Sequence, residues 1–360
     1  MALFLGLWIG SVASGAKDQT SAQDSPAGRP RDLTELSLEA LLQFEITPIN
    51  VLGSHTHLER ELMVGYRYMY MDQRGNLDGS RKITNAEAFQ RGYTVMHTSM
   101  TMEMHMVEVM YAPRDNVTVM AMAEYRVISM HHLRSNGTTF PSESRGFGDT
   151  TVMALYNIFG NPREGPHRIL LNAGLSLPTG SIQKRFNSPD RLEYMMQLGS
   201  GTYDLLPGIT YLGQSTTWAW GGQLIGTVRL DENDVGYRLG NRYRLSAWAN
   251  YKLTESLGPS VRLDWQQWDN IHGSDPQLDA KRETNPAFNP NKQNGRRLDA
   301  LVGLNYYVPR GRLKKHRFGL EGGIPVYESL AGPNPKTEWL LTLSWSVSFG
   351  GTPALSKAHK

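Results

Sequence analysis

Cysteine is absent from the 360 residues. That excludes disulfides, thiolate metal sites and cysteine nucleophiles, and it suits a compartment in which stray thiols would oxidise. An excess of one charge is missing too: 37 basic residues against 34 acidic leave a formal +3. Arginines such as Arg60, Arg67, Arg74 and Arg81 are scattered rather than clustered, so nucleic acid is not an expected partner. No run approaches the ~18 to 20 apolar residues that a membrane-spanning helix needs. Enzyme signatures are lacking: there is no Gly-x-Ser-x-Gly elbow, phosphate loop or His-Glu-x-x-His. The nearest hydrolytic hint, Ser200 or Asp204 in Gly199-Ser-Gly-Thr-Tyr-Asp204, comes without an assembled base and orienting group, so no enzyme is expected.

What is present first is an apolar stretch, Ala2–Ala13, followed by Ser14, Gly15 and Ala16 and then by polar residues. It reads as the core and cleavage region of a secretory signal over residues 1–16, without the usual basic start. In the segment 17–59, Leu33–Gln43 repeats leucine at helical spacing and predicts one short helix in the periplasm. From about residue 60 the hydrophobic period switches to two. It predicts strands near 60–72, 93–112, 116–132, 146–159, 166–178, 200–213, 216–230, 238–253, 257–271, 296–308, 314–326 and 336–350. The connections alternate between short turns, as at Pro113–Asn116, and long loops, as at 73–92, 133–145, 179–199 and 272–295. Short turns on one rim and long loops on the other, with tyrosine and tryptophan near strand ends, predict an all-β antiparallel transmembrane β-barrel of about 12 strands over 60–350, with a tail at 351–360. A closed barrel in lipid leaves no unpaired sheet edge. Asp72–Gly79 and Asp231–Asp234 read as solvated turns rather than calcium loops.

Two segments carry a family likeness: Gly146-Phe-Gly-Asp149 opening a strand, and Leu175-Ser-Leu-Pro-Thr-Gly180 closing one into a loop. The chain resembles, over roughly 60–350, the outer-membrane family labelled as the MetA-pathway of phenol degradation. That resemblance implies transport or channel formation, outer-membrane lipid around the barrel and the barrel-assembly machinery as a partner. The last strand, Leu340–Phe349, is similar to the C-terminal recognition strand of outer-membrane proteins, although Gly350–Lys360 continues past it. Asp32–Thr47 resembles the opening of some TonB-dependent receptors, whose plugged barrel is far larger than this chain allows.

Between Met96 and Met110 the chain reads Met-His-Thr-Ser-Met-Thr-Met-Glu-Met-His-Met-Val-Glu-Val-Met. On a strand, alternate side chains share a face. Val107, Val109 and Tyr111 suit lipid, so Met100, Met102, Met104, Met106, Glu108 and Met110 are expected to point into the lumen. By the same parity Met63, Arg67, Met69 and Met71 point inward from the first strand, and Met120, Met122, Glu124, Arg126 and Met130 from the third. Arg67, Glu108, Glu124 and Arg126 then set selectivity, with Met63, Met69 and Met71 beside them. Methionine fills irregular apolar space, the plainer reading of the stripe. Thioether and imidazole together also suit copper. Its candidate ligands are Met100, Met102, Met104, Met106, Met110, Met120 and Met122 with His55, His57, His97, His105, His131 and His132, where His97 and His105 are expected to share one outer-mouth face. The expected function is an outer-membrane channel or transporter for small solutes. Copper binding or traffic, and a channel for hydrophobic aromatic compounds as the family label implies, are the alternatives.

Overall fold

The computed structural model describes residues 50–160, 166–187 and 189–351. The expected signal sequence, the leucine-spaced helix, the receptor-like stretch at 32–47 and the tail beyond Gly351 lie outside the described residues.

The period-two segments become β1 (Glu61–Gly79), β2 (Arg81–Ile83), β3 (Val95–Arg114), β4 (Val117–Arg134), β5 (Thr139–Phe147), β6 (Thr150–Phe159) and β7 (His167–Leu177). They continue as β8 (Asp204–Gln214), β9 (Trp218–Arg229), β10 (Tyr237–Arg238), β11 (Arg242–Tyr251), β12 (Leu257–Trp268), β13 (His272–Gly273), β14 (Gly295–Tyr307) and β15 (His316–Gly350). Each long strand pairs antiparallel with the next around the ring, and β15 closes on β1. Eleven continuous strands make that ring. An odd number cannot close with every pair antiparallel, and β15 resolves the parity. Its first half pairs with β14 and its second half with β1, both antiparallel, so the two halves run in opposite directions. Accordingly the Ser344 hydroxyl donates to the Gly319 carbonyl at 3.4 Å. β15 is a bent strand that crosses twice, which gives the twelve crossings read from the sequence.

Exposed apolar side chains recur on the outer face of nearly every strand, among them Val107, Val119, Leu171, Ile209, Leu224, Leu263, Val302 and Leu320. A continuous apolar belt of this kind is the outer face of a transmembrane barrel. Tyr111, Tyr156, Trp218, Tyr251, Tyr306 and Phe349 ring it near the short turns, and Tyr203, Tyr243, Tyr327 and Trp339 near the long loops. Trp248, by contrast, points inward and packs with Val51, Leu170 and Leu212.

Three connections differ from expectation. Asp72–Gly79 is no turn, because β1 runs on to Gly79, paired with β15 and β2. The segment 133–145 is a tight hairpin in which β5 extends the wall beside β4. Residues 50–58 do not hang free of the barrel: Asn172 donates to the Gly53 carbonyl at 2.9 Å, Gln223 to the Leu52 carbonyl at 2.8 Å, and the segment is buried in the lumen. A short helix, α1 (Asn85–Gln90), begins the external loop after β2 with a Thr84–Glu87 capping box.

Candidate functional site

Cross-strand register stacks the lumen into layers. The lowest row is methionine, Met63–Met110–Met120–Met153 across β1, β3, β4 and β6, each paired directly with the next. Those four side chains cluster with Leu155 and Leu206, and Leu52 of the N-terminal segment packs on them. Above lies a charged belt. Arg67 meets Glu108 at 3.5 Å, and Arg126 hydrogen-bonds Glu124 beside it. Glycines make room for these carboxylates: a Cβ on Gly65 would stand 2.9 Å from the Glu108 side chain. Met69, Met71, Met102 and Met104 follow as half-exposed lumen residues, and then Met100 pairs with Met130.

The external loop 178–203 folds inward and closes this upper level. Its Leu192, Met196 and Leu198 are buried against Met100, Ile128 and Met130. The two segments that carry the family resemblance hold it there, because they meet. Asp149 accepts from the backbone N–H of Gly180 (2.9 Å) and of Ser200 (2.7 Å), and from the Ser200 hydroxyl (2.8 Å). Thr179 donates to the Gly148 carbonyl at 2.9 Å. Gly180 and Gly199 touch so closely that a Cβ on either would stand 2.5 to 2.7 Å from backbone of the other. Ser200 and Asp204, the sequence's hydrolytic hint, belong to this anchor, with the hydroxyl 3.3 Å from Asp204.

The wall itself is interrupted at the same place. β5 pairs with β4, but among the described residues no strand pairs with its far edge. The loop covers that edge instead: Lys184 donates to the Arg145 carbonyl at 2.8 Å and Ser144 to the Met196 carbonyl at 2.6 Å.

Facing the methionines is a ladder of ion pairs that the sequence reading missed. Arg244 grips Asp264 with two hydrogen bonds of 2.7 Å, Arg262 binds Glu321 at 3.1 Å, and Arg297 binds Asp299 at 3.0 Å. Arg297 also reaches Met71 Sδ at 3.6 Å, joining the two walls. The available signal was the alternation of like-facing charges, Arg262 with Asp264 and Arg297 with Asp299.

The histidines separate. His55 and His57 are buried in the lumen with rings 5.0 Å apart, and His57 meets Glu61 at 3.4 Å. His105 lies on the outer face against the Tyr66 hydroxyl at 2.7 Å, and His131 is exposed. His97 does not share the His105 face. Thr98 is an extra residue between the pairs His97–His132 and Ser99–His131, and this bulge reverses the parity of β3 above it. His97 therefore turns inward, and with His132 and Glu193 forms a wholly buried group. Burial raises the Glu193 carboxyl, but the hydrogen bond and charge of His132 and the charge of His97 outweigh it and hold the group below the ordinary carboxylate value. No other such group of three forms among the described residues, at the Asp231–Asp234 loop or elsewhere.

An antiparallel ring closed on itself, with a lipid belt, aromatic girdles and a polar interior, is a β-barrel of the bacterial outer membrane. The family model described as "Putative MetA-pathway of phenol degradation" matches residues 108–314, more than half the chain, and the protein belongs to that family. No curated protein matches the sequence. Among solved structures, an outer membrane channel from Pseudomonas putida F1 is similar with a TM-score of 0.57 at 13% identity, covering 85% of this chain and 100% of that one. KdgM porin aligns at 0.38 and 10% identity, over 80% of this chain and 99% of its own. The CymD monoaromatic hydrocarbon channel aligns at 0.37 and 9% identity, over 81% and 89%.

Proposed function

We propose that the barrel is a passive channel for small, mainly apolar and aromatic solutes. The observation that carries this reading is the pairing of walls. Half-exposed thioethers of Met69, Met71, Met102 and Met104 face arginines already neutralised by Asp264, Glu321 and Asp299. A flexible, polarisable wall accommodates varied planar solutes. The paired charges offer hydrogen bonds to a hydroxyl edge without the uncompensated ring of one sign that an ion filter uses. Arg67, Glu108, Glu124 and Arg126 form a polar step between the two methionine levels. The family's description, which refers to phenol degradation, agrees with a solute of this class.

Solute enters from outside and crosses the upper methionine level when the loop 178–203 moves away from the unpaired edge of β5. In liposome swelling, the permeation that the barrel adds to that of protein-free liposomes is expected to be faster for phenol and toluene-sized aromatics than for small sugars. Equal rates for both classes would reject the aromatic preference. Because the chain lacks cysteine, Arg145→Cys with Lys184→Cys can be bridged cleanly by a bifunctional thiol reagent. The bridged barrel is expected to lose most aromatic permeation and to recover it on reductive cleavage. Undiminished permeation would show that the loop does not have to move.

A further inference from the structure

His97 of β3, His132 of β4 and Glu193 of the inward loop each have 0% exposure, and one ligand-capable atom from each lies within 4.8 Å of the others. His132 Nε2 donates to Glu193 Oε1 at 2.9 Å. The rest of the group is unpaired: both ring nitrogens of His97, His132 Nδ1 and Glu193 Oε2 have no hydrogen-bond partner. An imidazole carries a lone pair or an N–H at each nitrogen, and burial with neither satisfied is unfavourable. Two imidazoles and a carboxylate converging in a buried group, with lone pairs unused, make a donor set that a cation completes.

We propose that His97, His132 and Glu193 bind a divalent transition metal of the zinc class, with water in the fourth position. Two nitrogens and one oxygen suit zinc better than the softer reduced copper, which prefers sulfur. Tetrahedral ligands about 2.0 to 2.2 Å from zinc stand roughly 3.3 to 3.6 Å apart, so the side chains need draw in by only about 1 Å. Their orientation is already set from outside the group. Asn285 Nδ2 donates to Glu193 Oε1 at 3.2 Å, and Phe140 stacks on the His132 ring at 4.6 Å between centroids. Two ligands belong to the wall and one to the loop 178–203, so the ion fastens the loop over the upper lumen. Metal binding stands apart from the channel reading, whereas this fastening rests on it.

The test uses the full-chain barrel in detergent, stripped with chelator and titrated with Zn2+ by calorimetry and with Co2+ by visible absorption. One ion per barrel and an intense tetrahedral Co2+ band are expected. Glu193→Gln and His97→Ala should each weaken binding by at least the roughly 10- to 100-fold that loss of an outer-shell partner costs. His105→Ala and His131→Ala, on the outer face, should leave binding unchanged. Heat-modifiable gel migration checks that each variant folds, and the isosteric Glu193→Gln keeps the test decisive if His97→Ala does not. Wild-type affinity retained in Glu193→Gln, or binding lost only in His55→Ala with His57→Ala, overturns the site. In planar bilayers Zn2+ should lower wild-type conductance and leave that of Glu193→Gln unaltered. Tight binding with no change in conductance keeps the site and rejects the fastening.

Discussion

Deleting residues 50–58 and replacing Asp149 with alanine in one barrel is expected to raise single-channel conductance by about an order of magnitude, whereas either change alone raises it by roughly twofold. The difference follows from where the two obstructions sit. Residues 50–58 lie on the lowest methionine row, and the loop 178–203 covers the methionines at the opposite end. Two constrictions on one path act as resistances in series, so removing one leaves the other in control.

Asp149 is the better handle on the loop because its contribution is large beside the net stability of docking. It accepts three hydrogen bonds from the loop, each worth about 1.5 to 3 kcal/mol when the acceptor is charged. Burial of Leu192, Met196 and Leu198 contributes a similar amount per side chain, about 1.5 to 3 kcal/mol. Against both stands the ordering of a long loop at about 1 to 2 kcal/mol per residue. Docking is a small difference between large terms, and loss of three charged contacts at one point is enough to free it. Bilayer recording of the two single variants and the double variant decides the matter. A full rise from Asp149→Ala alone would mean that residues 50–58 do not obstruct the path.

The wall of this barrel was legible in the sequence to a degree that its closure was not. Period-two alternation is a local property, so strands such as Val117–Arg134 and the inward set Met120, Met122 and Glu124 could be read directly. The Thr98 bulge could not, because an extra residue is defined only against the partner strand it fails to match, and that one residue put His97 on the wrong face. The loop anchor was half visible. Gly146–Asp149 and Leu175–Gly180 were each recognised as motifs, but their contact depends on a fold that brings β6 and the end of β7 to Ser200. Glu193 carried no signal at all. It stands in an aperiodic loop, and its chemistry arises only when the loop reaches the wall at His97 and His132. The stripe of methionines, conspicuous in the sequence, is divided in three dimensions into two clusters separated by the charged belt.

Replacing Arg262 alone with methionine is expected to cost about 3 to 5 kcal/mol of folding stability, whereas replacing Arg262 with methionine and Glu321 with leucine together returns most of it. Arg262 is 6% exposed and Glu321 2% exposed, and the guanidinium also lies 3.6 Å from Asp264. Once it is gone, Glu321 is a buried carboxylate without its cation, while Asp264 retains Arg244. The single variant also removes one positive charge from the lumen, so the reversal potential in a salt gradient should move toward cation preference. The double variant removes one charge of each sign from the wall, restoring the balance and extending apolar surface opposite the methionines. Its reversal potential should return to that of the wild type, and its permeability to aromatic solutes should equal or exceed it. Urea unfolding in detergent micelles, read together with reversal potentials, separates these effects. A double variant as unstable as the single one would show that the ion pair is needed for itself, because the shape of the wall would then depend on the two charges rather than on the space they fill.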